Sequence, residues 1–177
     1  DTFSVTTMFE MFVRAIAFNQ PIGNWDTSSV TDMSYMFFET RAFNQPIGDW
    51  DTSNVKKMSS LFRGTDVFNQ DISEWDTSKI TDMYYMFSGA KAFDQDISPK
   101  TVTRGGRTYT AWDTSEVTKM EAVFKDNYVF NQDISDWNTA NVTTMKEMFK
   151  SARAFNQDLS GWNVEAVTDH DDFDEGA

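Results

Sequence analysis

The sequence contains no cysteine, a single histidine and only three prolines among 177 residues. Without cysteine the chain has no disulfide, no thiolate metal ligand and no cysteine nucleophile. A Ser-His-Asp arrangement would depend on His170, which lies outside the regular part of the chain, and there is no glycine-rich phosphate loop. We therefore predict that the protein is not an enzyme and has no catalytic residues.

Basic residues are also scarce, because 15 Lys and Arg stand against 28 Asp and Glu, which gives a net charge of -13. This charge opposes approach to nucleic-acid backbones and anionic membrane surfaces, and we expect no nucleic-acid partner because such binding would need a local basic patch. No apolar run approaches the length of a membrane span, which predicts no direct membrane insertion. Apolar residues nevertheless make up 40% of the chain, including sixteen Phe and six Trp, and this is enough for a packed interior.

One stretch, Phe18 to Phe37, recurs along nearly the whole chain. The Trp of each copy falls at 25, 50, 75, 112, 137 and 162, with spacings of 25, 25, 37, 25 and 25. A fixed period of this length indicates an array of stacked repeats that share a continuous core. We predict one domain, residues 1–177, of about six to seven repeats with the first and last partial. Residues 1–5 align with 26–30, so the array starts in mid-repeat, as expected of a processed or excised chain.

Two local patterns predict the secondary structure of each repeat. Apolar residues between Val30 and Phe37 fall at i, i+3, i+6 and i+7, which predicts one face of a short helix that Ser28 or Ser29 would cap. The segment Trp25-Asp26-Thr27 is expected to alternate inward, outward and inward, which predicts a short strand that stacks on its copies into a parallel sheet.

An asparagine recurs at the same place in five repeats, with Asp94 in that place in another. An amide side chain offers a donor and an acceptor to neighbouring backbone, so we interpret the column as a ladder that satisfies a corner of the repeat. The column comprises Asn19, Asn44, Asn69, Asn131 and Asn156.

The string F-N-Q-D/P-I-x-x-W-D-T-S-x-V-T-x-M-x-x-M-F resembles the BspA-like leucine-rich repeats, which are surface-protein repeats of mycoplasma lipoproteins and marine microbial proteins. The resemblance covers the chain from Asp1 to about Phe173, apart from one insertion. It implies an α/β repeat solenoid of right-handed, leucine-rich-repeat-like coils, with short parallel strands and short helices. It also implies an extracellular or cell-surface location and a role in adhesion or recognition.

The longer spacing between Trp75 and Trp112 reflects twelve additional residues within 99–110. Two segments that alternate Thr with other residues flank Gly105-Gly106, which predicts a projecting β-hairpin that pairs Arg104 with Arg107. The insertion is the only concentrated basic feature of the chain, and we predict that it contacts an anionic partner or an acidic protein face. The predicted contact residues are Lys100, Arg104, Arg107 and Tyr109. The alternative is a tolerated surface insertion without a binding role.

An acidic residue follows Trp in four of the repeats, at Asp26, Asp51, Asp76 and Asp113. Stacking would place these carboxylates in an outward column, where hydrogen bonds from neighbouring Thr and Ser would offset their repulsion. The alternative is that oxygen ligands from adjacent repeats hold Ca²⁺, although the usual loop spacing of calcium sites is missing. Apart from this calcium hypothesis we expect no cofactor.

The sequence thus favours a recognition or adhesion module that binds a protein or glycan through the face of the stack and the basic hairpin. The runner-up is a structural subunit that packs laterally or end to end in a larger assembly, because an uncapped repeat end offers apolar surface.

Overall fold

The computed structural model of the protein describes residues 2–177, so Asp1 and its part in the predicted domain lie outside the description. The two strands of this part of the chain are β1 (Lys100–Arg104) and β2 (Arg107–Ala111), which form one antiparallel hairpin. Residues 2–177 contain no helix and consist otherwise of turns, extended segments and isolated bridges. None of them forms a membrane-spanning helix.

Single parallel bridges join each repeat to the next. Equivalent residues, 25 apart or 37 apart across the insertion, pair in series along the whole stack. The paired residues are Thr7, Asp32, Lys57, Asp82, Lys119, Thr144 and Asp169. The repeats therefore stack in register, and the insertion does not shift that register.

The predicted helix is replaced by a ladder of turns. The N–H groups of Met33, Tyr35, Phe37 and Glu39 donate to carbonyl oxygens of the next repeat at 2.8–3.1 Å. The N–H groups of Met36, Phe38 and Thr40 close i to i−3 turns at 3.0–3.2 Å, and that of Ser34 donates to Asp32 Oδ1 at 2.9 Å. An α-helix would direct every N–H to the residue four positions back in the same segment. Here the backbone donors alternate between their own repeat and its neighbour.

Left-handed residues produce this alternation. Tyr35 and Glu39 have φ of 58° and 53°, and both positions have positive φ in every repeat, from Glu10 and Arg14 to Asp172 and Gly176. A helix cannot include such residues, but a series of three-residue turns preserves the same i, i+3 burial of Met33 and Met36. The α/β solenoid prediction, with its helices and parallel strands, is therefore wrong.

The predicted strand at Trp25–Thr27 and the serine cap are also absent. Ser28 donates its amide and its hydroxyl to Asp26 Oδ1, at 3.0 and 2.6 Å, in a turn and not at a helix start. The expected burial alternation occurs in the second repeat, where Trp50 and Thr52 are buried while Asp51 is exposed, but in the next repeat Asp76 is buried as well. Side chains link the repeats in this region.

The side-chain links recur from repeat to repeat. Thr52 Oγ1 donates to the carbonyl oxygen of Asp76 at 3.0 Å, and Trp75 Nε1 donates to that of Ile47 at 3.2 Å. Because these donors reach backbone oxygens of adjacent repeats, no sheet is needed to hold this side of the stack together.

Two columns of phenylalanine rings fill the interior. Rings within a column lie 5.6–6.2 Å apart between centroids. Rings of the two columns meet at 3.9–4.1 Å. One column comprises Phe12, Phe37, Phe62, Phe87, Phe124 and Phe149, and the other Phe18, Phe43, Phe68, Phe93, Phe130 and Phe155.

The asparagine ladder is confirmed. The amide N–H of Asn44 donates to Asn19 Oδ1 at 2.9 Å, and the same bond recurs between the later members of the column. Asp94 occupies a rung in the same way, because it donates to Asn69 Oδ1 and accepts from the N–H of Asn131, both at 3.0 Å.

Candidate functional site

The hairpin leaves the stack and returns to it at adjacent points. The predicted pairing is confirmed, with Arg104 opposite Arg107, Thr103 opposite Thr108 and Val102 opposite Tyr109. At the turn, Gly105 and Gly106 have φ of 58° and 79°, values that glycine adopts without strain. Trp112 then donates its N–H to the carbonyl oxygen of Trp75 at 3.1 Å and resumes the repeat.

The hairpin was predicted to project, but its basic side chains reach back onto earlier repeats. Arg104 donates from Nη1 to the carbonyl oxygen of Gly48 at 3.1 Å. Its Nη2 donates to the backbone oxygen of Asp49 at 2.8 Å and to Asp49 Oδ1 at 2.6 Å. Because these acceptors lie more than fifty residues earlier in the chain, the hairpin spans several repeats.

Arg107 forms an ion pair with Asp76, whose side chain is only 7% exposed beneath the hairpin. Asp76 Oδ1 also accepts the amide and the hydroxyl of Ser78, at 3.0 and 2.6 Å. The Arg107 guanidinium lies 4.9 Å from the Tyr109 ring centroid. Arg104 and Arg107 face each other across the turn, and the carboxylates of Asp49 and Asp76 offset their repulsion.

Tyr109 and Lys100 complete the predicted contact set. The Tyr109 hydroxyl donates to the carbonyl oxygen of Glu74 at 2.6 Å, and burial raises the pKa of this phenol. Lys100 forms no ion pair within residues 2–177. Hydrogen bonds from Ser73 lower the pKa of Asp71, and the Lys100 charge adds to this effect.

A cleft of about 340 Å³ lies between the hairpin and the stack. Arg104, Arg107 and Tyr109 line one side, and Asp51 and Asp76 line the other. A more open groove of about 490 Å³ adjoins it and shares Asp49 with it. Donors, acceptors and both signs of charge therefore surround one concave surface.

The four aspartates of the predicted calcium column occupy equivalent turns. Each Oδ1 accepts the N–H of the serine two residues later at 2.9–3.0 Å, as expected if serine offsets the carboxylate repulsion. Hydrogen bonds from the hydroxyl and amide of Ser28 lower the pKa of Asp26. Within residues 2–177 no three His, Cys, Asp or Glu side chains form a group that could hold a metal ion. Calcium binding by Asp26, Asp51, Asp76 and Asp113 stays a prediction.

Sequence reasoning missed the backbone oxygens of the stack that the hairpin contacts. It also missed Asp49, the acidic residue of the stack that pairs with Arg104. Asp49 and Glu74 belong to a position that also holds Asn24, so no repeated residue type marks it. The acceptors at Gly48 and Glu74 are carbonyl oxygens, which no side-chain motif reveals.

Comparison with known proteins identifies a family but no characterised relative. No curated protein and no solved structure gives a significant match to the chain. The model of the family described as "Mycoplasma protein of unknown function, DUF285" matches residues 1–101 and again residues 100–177. Because these two matches together span the chain, the protein belongs to this family.

Proposed function

We propose that the protein is a non-enzymatic recognition module that binds a protein or glycan partner through the hairpin and the stack face beside it. The observation that carries the proposal is the cleft whose walls are Arg104, Arg107 and Tyr109 on the hairpin and acidic residues on the stack. The hairpin interrupts an otherwise regular array, so its side chains are not needed by every repeat.

Contacts within the chain hold the proposed binding groups in place. Arg104 has three acceptors on the stack, and Tyr109 is anchored at 2.6 Å to a carbonyl oxygen. Immobilised side chains lose less entropy when a partner binds, which favours affinity. The Asp49 side chain is 93% exposed and that of Arg107 is 49% exposed, so a partner can contact both charges.

The resemblance of the repeats to BspA-like leucine-rich repeats supports this proposal and adds a location. Proteins with such repeats serve adhesion or recognition at cell surfaces where a role is known. We accordingly propose an extracellular or cell-surface location. The net charge of -13 argues against nucleic acid as the partner.

The test compares the full chain with a variant that lacks residues 99–110 on a glycan array and against labelled surface proteins of the source cells. We expect the stack to remain folded and the partner to be lost with the deletion and with Arg107→Ala. Arg153→Ala, which changes a cation away from the hairpin, serves as the matched control. Binding that survives both hairpin changes would overturn the proposal.

A second candidate function is a structural subunit that packs laterally or end to end. Phe9, Met11 and Ile16 are exposed in the first repeats, at 49%, 42% and 63%. At the other end a groove of about 710 Å³ is lined by Trp162 and Val164 together with the acidic residues Asp172, Asp174 and Glu175. Sedimentation at increasing concentration should show association that Ile16→Ser weakens, whereas a stable monomer would contradict this candidate.

Calcium binding by the aspartate column is a separate proposal. Titration calorimetry with Ca²⁺, together with melting curves in its presence, should give heat and a higher Tm if the column binds the ion. The absence of both effects would remove the proposal.

A further inference from the structure

Cationic groups alternate with aromatic rings across neighbouring repeats, on the side of the stack that the ladder of turns forms. The Arg63 guanidinium lies 5.5 Å from the ring centroid of Phe38 and 4.3 Å from that of Tyr85. The Arg14 guanidinium lies 5.6 Å from the centroid of the same Phe38 ring. Lys125 Nζ lies 6.0 Å from the centroid of the Tyr85 ring. We call these five residues the cation–aromatic ribbon.

The ribbon occupies positions that the stack does not require to be uniform. Phe38 corresponds to Arg63, Ser88, Lys125 and Lys150 in later repeats, so this position holds aromatic, polar and cationic residues. The adjacent position is Phe from Phe12 to Phe149 and is buried from Phe37 onward. The outer position accepts several residue types without a change in the register of the repeats. Packing of the stack therefore does not explain why an arginine lies between two rings.

Arg63 differs from its charged neighbours in the ribbon in having no carboxylate partner. Arg14 pairs with Glu39 at 3.1 Å, and Lys125 pairs with Glu147 at 2.6 Å. Within residues 2–177 Arg63 forms no ion pair, although the chain carries 28 Asp and Glu. The half-buried guanidinium is held by its two rings. Stacking of this kind occupies the faces of a guanidinium and leaves its N–H edge available to a planar carboxylate.

Further aromatic rings surround this arginine. Tyr84 packs against Tyr85 at 4.4 Å, and Tyr35 meets Phe38 edge-on at 6.0 Å. Burial raises the pKa of both Tyr84 and Tyr85, and the Tyr85 hydroxyl donates to Glu147 Oε2 at 3.4 Å. Tyrosine and arginine together are the residue types that dominate binding energy at protein interfaces.

We propose that this surface binds an acidic peptide segment of a protein partner. The carboxylate of one Asp or Glu of the partner would accept hydrogen bonds from the Arg63 guanidinium. Apolar side chains beside it would pack on Phe38 and Tyr85. A single carboxylate complements Arg63, whereas a polyanion would be repelled by a chain of charge -13. The site shares no residue with the hairpin, so it stands or falls separately from the hairpin binding proposed above.

The experiment selects short random peptides displayed on phage against the immobilised full chain. We expect the selected sequences to carry Asp or Glu beside aromatic or aliphatic residues. A selected peptide is then synthesised with its acidic residue and with Gln or Asn in that place, and the affinities are measured by titration calorimetry. Loss of the charged hydrogen bonds should weaken binding about tenfold or more.

Variants of the protein locate the site. Arg63→Gln should weaken the acidic peptide about tenfold or more, and Arg63→Lys should weaken it less, because charge remains without the planar fork. Arg153→Gln is the matched control, since Arg153 lies 5.4 Å from the Tyr128 ring outside the ribbon. Removal of residues 99–110 should leave peptide binding unchanged, and melting curves should show that each variant is folded.

Several results would overturn the proposal. These are equal affinity of the acidic and amide peptides, unchanged binding by Arg63→Gln, or selected peptides without an acidic residue. Displacement of the peptide by a sulfated disaccharide at lower concentration than by the free acidic peptide would point to a polyanionic glycan instead.

Discussion

Two neighbouring positions in each repeat, those of Phe37 and Phe38, show how the chain divides its tasks. The first holds Phe in six repeats, buried in all of them except the first, and each ring stacks on the next. The second is partly exposed except at the buried Ser88, and it changes from Phe38 to Arg63 to Ser88 and then to lysine. Inward positions repeat because every copy solves the same packing problem, whereas outward positions are free to differ and can carry recognition.

The largest test of this contrast is a truncation in the inward set. Trp75 is fully buried and its Nε1 bonds the neighbouring repeat, so Trp75→Ala should lower the free energy of unfolding by about 3–5 kcal/mol. Trp25 is only half-buried, and its truncation should have a smaller effect. Urea denaturation of both variants measures the difference, and equal losses would contradict the stacked core.

A smaller effect is expected where the hairpin meets the stack. Arg107→Ala would leave the Asp76 carboxylate covered without its cation, which should reduce stability by about 1–2 kcal/mol after allowance for the exposure of Arg107. Arg104→Ala is the matched control. Because Asp49 is exposed, loss of its ion pair should lower the free energy of unfolding by only on the order of 0.5 kcal/mol. Urea midpoints in the reverse order would show that Asp76 is solvated despite the hairpin.

A stabilising change is available at Ser60, a buried left-handed residue whose hydroxyl has no hydrogen-bond partner within residues 2–177. Ser60→Ala removes the unpaired hydroxyl and should stabilise the fold by about 1 kcal/mol. Ser60→Gly also relieves the positive φ of 54° and should equal or exceed that gain. Gly64→Ala places a Cβ at a positive φ of 71° and should destabilise. Thermal melts would contradict this reasoning if Ser60→Ala lowered Tm.

The smallest effects concern pH. Hydrogen bonds from Ser135 and Ser160, led by their backbone amides, lower the pKa of Asp133 and Asp158 below the ordinary 3.8. Their contribution to stability is therefore present above pH 3.8 and is lost as the pH falls below it. Urea midpoints measured down to pH about 3 should decline.

The matched control for the pH experiment replaces both aspartates with Asn. Asn138 and Asn163 already accept the same turn hydrogen bond in this chain, at 3.1 and 2.9 Å, so the exchange keeps the turn and removes the titration. The decline should become shallower in the double variant, and an unchanged slope would assign the acid sensitivity to other groups.

Much of the scaffold could be predicted because repetition reveals it. The period places Phe, Trp and Asn in columns, and a column of one residue type indicates contact between its members. The hairpin register could be predicted because Gly105-Gly106 and the flanking Thr positions specify a local turn.

The helix prediction failed because spacing alone does not distinguish a helix from a ladder of three-residue turns. Tyr35, Ser60 and Tyr85 give no sign of positive φ by their residue type. At the position of Glu39 the sequence does indicate a positive φ, because Gly64 and Gly89 occupy that position in the next repeats. The docking of the hairpin could not be predicted, because its acceptors include carbonyl oxygens far earlier in the chain.

The reach of the hairpin also bears on how the array opens. In a simple stack each repeat contacts only its neighbours, so repeats can fray one by one from the ends. The hairpin joins residues near Gly48 and Glu74 to a segment between Ile97 and Trp112. These repeats must therefore lose structure together, and slow hydrogen exchange should extend as one cooperative block from about Gly48 to Trp112 while the flanking repeats exchange sooner.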